Sequence, residues 1–171
     1  MCFLSLMATN DSTSRATLSS RGQSVLSRLR CWREHSSWNW ENKVLLLEAM
    51  EMQTLGNYDA ARLSYTRSIQ SAHEHKFVHE EAIASELAGD FFCEQGHQLE
   101  AYALYMHSIK CFNEWGALAV AKRVESSVES KFGSDTASQL GRAVNVDGMI
   151  QLILLVEEDS ADTKKRPSEL L

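Results

Sequence analysis

Three histidines crowd one short stretch, His73, His75 and His79, and two acids follow at Glu80 and Glu81. Imidazoles ligate divalent metals, and His75 and His79, four apart, share a helix face. A zinc-protease helix needs His-Glu-x-x-His, however, and here His79-Glu80-Glu81-Ala82 runs on to Ile83. No Cys–His spacing of a structural zinc site accompanies the cluster. It therefore reads as a solvated turn between helices, and no metal or cofactor is expected. Glu80 and Glu81 are adjacent on a helix and point in different directions, which suits solvation better than shared acid–base work. Cys2, Cys31, Cys93 and Cys111 form no Cys-x-x-Cys pair. They read as free thiols of a reducing compartment, small apolar residues in effect. There is no glycine-rich phosphate loop and no Gly-x-Ser-x-Gly elbow. The reading is of a protein that is not an enzyme.

The elements around these residues are helices. A single proline, Pro167, and eight glycines in 171 residues favour long uninterrupted helices. Leu45, Leu46, Ala49, Met52 and Leu55 make one apolar stripe, which Gly56 and Asn57 stop. Tyr58, Ala61, Tyr65, Ile69 and Ala72 make the next. A third helix over 79–94 carries Ala82, Ile83, Leu87, Phe91 and Phe92, and Gly96 ends it. Ala101, Leu104, Tyr105, Ile109 and Phe112 form a fourth stripe, ended by Trp115 and Gly116. A fifth helix, 117–131, stops at Gly133. Two short helices, 134–144 and 147–158, follow; by composition alone 149–156 also suits a strand, though no partner strand is visible.

Charge divides the chain. Residues 1–40 hold five arginines against Asp11 and Glu34, net +3, while residues 42–132 hold eight Lys/Arg against thirteen Asp/Glu, net −5. An acidic core excludes nucleic-acid binding, which needs clustered Lys and Arg. The longest apolar run, Met149–Val156, falls short of the ~20 residues of a membrane helix, so no membrane is expected. Residues 1–40 read as a flexible, Ser- and Arg-rich segment. A disordered, phosphorylatable leader is the preferred interpretation, and an acid-poor organellar transit peptide, hence a mitochondrial location, is the alternative to a cytoplasmic one. Met1–Ala8 lacks the basic n-region of a secretory signal. Trp32, Trp38 and Trp40 cap the first hairpin or form a docking patch, the cap being favoured. Residues 133–158 read as additional short helices or a cap, and 159–171 as a disordered tail.

An offset of 40 aligns Gly56 with Gly96, Ala61 with Ala101, Tyr65 with Tyr105, Ser68 with Ser108, Ile69 with Ile109 and Leu47 with Leu87. Two-helix units that cannot bury an apolar face alone do so by stacking, so crossing and turn residues recur. Ala61-x-x-x-Tyr65, Ala101-x-x-x-Tyr105 and Gly89-x-x-Phe92 resemble elements of tetratricopeptide repeats. The period is 40 rather than ~34, the Trp and terminal Pro of that pattern are absent, and Ala49 stands where its small Gly would sit. Extra length is expected in the helices around His73–Glu81. Glu80-Glu81-Ala82-x-Ala84-x-Glu86-Leu87-Ala88 and Trp115-Gly116-Ala117 are similar to the repeat region of multidomain signalling proteins, where that region lies between an ATPase module and GAF or histidine-kinase modules.

The resemblance covers 41–132. It implies an all-α fold of tetratricopeptide-like antiparallel hairpins, two repeats plus capping helices, with flexible tails. It implies a non-catalytic adaptor or scaffold binding a protein or peptide; the alternative is a regulatory or truncated segment of an ATPase–sensor-kinase protein of signal transduction. In tetratricopeptide repeats the first helix of each pair lines the groove, which places Lys43, Met50, Gln53, Glu86, Asp90 and Glu94 there. Glu86, Asp90 and Glu94, at i, i+4, i+8, form an acidic stripe suited to a basic partner, or simply a solvated face. Two repeats are few for an array, so the helices after Ala117 act as a cap or the open end dimerises, and the oligomeric state stays open.

Overall fold

The computed structural model describes residues 12–155. The expectations for residues 1–11 and for the 159–171 tail lie outside these. The described residues form eight helices and no strand: α1 (Ser12–His35), α2 (Ser37–Thr54), α3 (Tyr58–Glu74), α4 (Val78–Glu94), α5 (Gln98–Glu114), α6 (Leu118–Phe132), α7 (Ser134–Ala143) and α8 (Val146–Leu155). No helix among them is long and apolar enough to cross a membrane. The most extensive packing is within two antiparallel hairpins, α2 with α3 and α4 with α5. Helices α7 and α8 lean back on α5 and α6, and α8 reaches α3.

The spacing of the turns produces this arrangement. Helices α3, α4 and α5 are each 17 residues long. The residue in the left-handed conformation recurs at Gly56 (φ 76°), Lys76 (φ 63°), Gly96 (φ 82°) and Gly116 (φ 85°). Each turn closes with the same pair of backbone bonds. Gly56 N donates to Gln53 O and Asn57 N to Met52 O; Lys76 to His73 O and Phe77 to Ala72 O; Gly96 to Cys93 O and His97 to Phe92 O; Gly116 to Asn113 O and Ala117 to Phe112 O. This is the Schellman closure, which satisfies carbonyls a helix end otherwise leaves orphaned. The long period therefore does not come from extra length around His73–Glu81. That stretch holds a turn as tight as the others, and α3, α4 and α5 share the extra length equally.

The 40-residue offset also holds in three dimensions. Ser68 Oγ donates to Asn42 O at 2.7 Å, and Ser108 Oγ donates to Ala82 O at 2.8 Å. Each serine stitches the second helix of a hairpin to the first at the same depth. Between these stitches the core fills with Tyr65, Phe91, Phe92, Tyr105 and Phe112, all almost wholly buried. Gly89 lets the Tyr105 ring in: a Cβ there would lie 3.0 Å from two ring carbons.

One expectation changes. Residues 12–35 are a helix, not a leader without structure. Leu26, fully buried, seats it, and Arg30 Nε donates to Glu48 Oε1 of α2 at 2.8 Å. Burying that leucine contributes about 1.5–3 kcal/mol to docking the helix. Trp32 packs on Trp40 with ring centroids 4.9 Å apart, whereas Trp38 stays half exposed, edge-on to His75 and tilted against Phe77. The segment 146–155 is helix α8, the second of the two short helices expected after Gly133; Ile150 and Ile153 enter the main core from it.

Candidate functional site

The first helices of the two hairpins, α2 and α4, together with α6, are linked by side-chain bridges. Lys43 Nζ on α2 donates to Glu80 Oε2 on α4 at 2.8 Å and to Asn39 O at 2.7 Å, and lies over the Phe77 ring. Gln53 Nε2 donates to Glu94 Oε2 at 2.9 Å. Arg123 on α6 donates from both terminal nitrogens to the two oxygens of Glu86, each at 2.8 Å. Lys131 Nζ donates to Asp90 Oδ1, which also accepts the Tyr105 hydroxyl at 2.6 Å. Tyr65 donates to Gln53 Oε1 at 2.8 Å, so the two aligned tyrosines tie both hairpins into the same network.

Burial first, then the hydrogen bond and charge of Asp90, push the Tyr105 hydroxyl far above its ordinary value. Burial first, then Glu94 and Asp90, do the same to Tyr65. Both hydroxyls stay protonated donors at physiological pH. The bidentate bond to Glu86 holds the Arg123 guanidinium above its usual value.

The structure thus gathers Lys43, Gln53, Glu86, Asp90 and Glu94 on one face, but not as a free acidic stripe. Glu86 and Asp90 carry cations from α6, and Glu94 is met by an amide. Met50 is not on the face at all: it is 2 % exposed, because α1, α3 and α4 all pack around α2 and leave little of its circumference open. What is open is apolar. A depression of about 350 Å³ lies between α2 and α4, lined by the apolar Leu46, Leu47 and Ile83 and by Lys43, His79 and Glu80. Ile83 is 41 % exposed at its mouth. His79 stacks on the exposed Trp115 ring, centroids 4.9 Å apart. Such a basin accepts an apolar side chain and offers polar groups at its edge.

The three histidines diverge. His75 Nδ1 turns back to Ser71 O at 2.7 Å, His79 goes to Trp115, and His73 Nδ1 meets Glu81 Oε1 at 2.9 Å. Glu81 Oε1 also lies 2.7 Å from Nε2 of the buried His107, and that nitrogen is 3.6 Å from Cys111 Sγ. Sequence reasoning missed this cluster because its members come from three helices. One signal was present: His107 and Cys111 are i, i+4, flanking Ser108, whose bond fixes α5 beside Ala82 and hence beside Glu81.

Comparison with family models, curated proteins and solved structures returned no match.

Proposed function

We propose that the chain is a non-catalytic protein-interaction module, an adaptor or scaffold that holds a segment of another protein on the face of α2, α4 and α6. The observation that carries this reading is the apolar basin over Leu46, Leu47 and Ile83, open to solvent on a face braced by bridges from α2 to α4 and α4 to α6. Burial of one leucine-sized anchor stabilises a complex by about 1.5–3 kcal/mol, and a braced surface loses little freedom on binding. The likeness of the repeat to tetratricopeptide hairpins supports the same face. The partner is a protein or peptide with an apolar anchor. A basic group of the partner gains only where it reaches Glu94, at the far end of α4, since Glu86 and Asp90 already carry cations, so salt weakens binding modestly.

Quantitative affinity capture with the full chain tests it. Ile83→Glu places a charge at the mouth of the basin, and Leu63→Glu, at an exposed position of α3, is the control. The reading expects specific partners that Ile83→Glu loses and Leu63→Glu keeps. An identical set from all three proteins would remove the basin as the binding site.

A further inference from the structure

The Glu81, His107 and Cys111 side chains are 5 %, 7 % and 3 % exposed as residues, and the interaction face does not use them. Their ligand atoms all lie within 4.8 Å of one another. A nucleophile relay would put thiol and carboxylate on opposite nitrogens of the imidazole. Here both sit on Nε2, at 3.6 and 2.7 Å, and Nδ1 is buried with no hydrogen-bond partner. The thiol is no free nucleophile either: burial first, then the nearby Glu81 charge, push it up to about 12. Three donors converging on one point is instead the geometry of ligation. With Oε1 and Sγ at the 4.8 Å limit, the point equidistant from the three atoms lies about 2.4 Å from each, just beyond the Oε1–Sγ edge, so opening the 2.7 Å Oε1–Nε2 contact brings all three toward zinc bonds of ~2.0–2.3 Å.

We propose that Glu81, His107 and Cys111 form a zinc site, with His73 as fourth ligand and as the way in. His73 already touches Glu81 Oε1, and its side chain is 57 % exposed. The donor set selects the metal. A thiolate disfavours magnesium and calcium, and mixed sulfur, nitrogen and oxygen donors in a four-ligand site suit zinc. The charge also closes: one carboxylate and one thiolate neutralise a divalent ion, so no net charge is left in the interior. On binding, the Cys111 thiol releases its proton to solvent and its sulfur bonds the metal. The His107 proton moves from Nε2 to Nδ1, freeing the Nε2 lone pair, and His73 turns from the carboxylate to the metal.

Chelator-treated full-length protein is titrated with Zn²⁺ and with Co²⁺. The expected result is one equivalent of either, a rise in thermal midpoint, and a thiolate-to-cobalt charge-transfer band. Cys111→Ala, which keeps a small apolar residue, should lose the band and bind at least about tenfold more weakly. Should that variant fail to fold, alkylation decides on the wild type: Zn²⁺ should shield Cys111 while leaving Cys31, which is exposed, as reactive as before. Substoichiometric uptake, a cobalt adduct without the band, uptake undiminished in folded Cys111→Ala, or Cys111 alkylation indifferent to Zn²⁺ would each overturn the proposal.

Discussion

Replacing Lys76 by glycine should stabilise the protein although it deletes a side chain. Lys76 occupies the left-handed position of the α3–α4 turn at φ 63°, where the other three turns have glycine. A Cβ in that conformation costs about 1–2 kcal/mol. Glycine gives back part of this, about 0.4–1 kcal/mol, because the unfolded chain becomes freer. The net gain is about 0.5–1 kcal/mol. For a chain of 171 residues each kcal/mol moves the midpoint by about 2–4 °C, so a rise of roughly 1–4 °C is expected. The converse exchange isolates the backbone term. At Gly96 a Cβ would meet nothing within 4 Å, so Gly96→Ala adds no clash and should lower stability by about 0.5–1 kcal/mol through φ alone. Urea unfolding followed by circular dichroism reads both variants. A Lys76→Gly protein less stable than the parent, or a Gly96→Ala protein as stable, would refute the argument that one turn geometry paces the fold.

Gly89→Ala brings two opposed effects: about 1 kcal/mol of helix propensity gained, and overpacking of about 1–3 kcal/mol against a Tyr105 ring fixed by its bond to Asp90. Net destabilisation of about 1 kcal/mol should appear as a lower urea midpoint. Ser68→Ala and Ser108→Ala should each cost about 1 kcal/mol, nearly equally, because each leaves a buried carbonyl without the donor that stitches its hairpin; strongly unequal losses would contradict structural equivalence of the repeats. For Glu81, burial acts to raise the carboxyl, but hydrogen bonds from His107 and His73, with their charge, hold it below the usual carboxylate range. A depressed carboxyl contributes stability above its unfolded value of about 4.3, and that contribution is lost as pH falls from there through the lowered folded value. Acid unfolding in the presence of chelator should therefore begin at higher pH in a His107→Gln variant, measured by circular dichroism.

Much of the fold was legible because the repeat writes itself in one dimension. Apolar stripes at helical spacing and single glycines at 56, 96 and 116 mark helices and turns. The turn at His73–His79 was placed without a glycine to mark it, but with a lysine in the left-handed position its tightness was not readable, and extra helix length was assigned to that stretch. Helix α1 was hidden for a different reason: its Ser- and Arg-rich sequence is seated by Leu26 and by Arg30, whose partner is on α2. The acidic spacing of Glu86, Asp90 and Glu94 was readable, but the cations that answer Glu86 and Asp90 lie 37 and 41 residues further on, and only stacking brings them close. Met50 was misplaced because the number of helices packing around α2 is a property of the assembled chain. The Glu81–His107–Cys111 cluster is likewise a product of register between α4 and α5.

The central claim is that a partner segment seats on the basin at Ile83, and site-specific photo-crosslinking tests it most directly. A photoreactive side chain at position 83 should capture a defined partner, and the same group at Leu63 should not. Capture of the same partner with equal yield at both positions, or at 63 alone, would contradict the account.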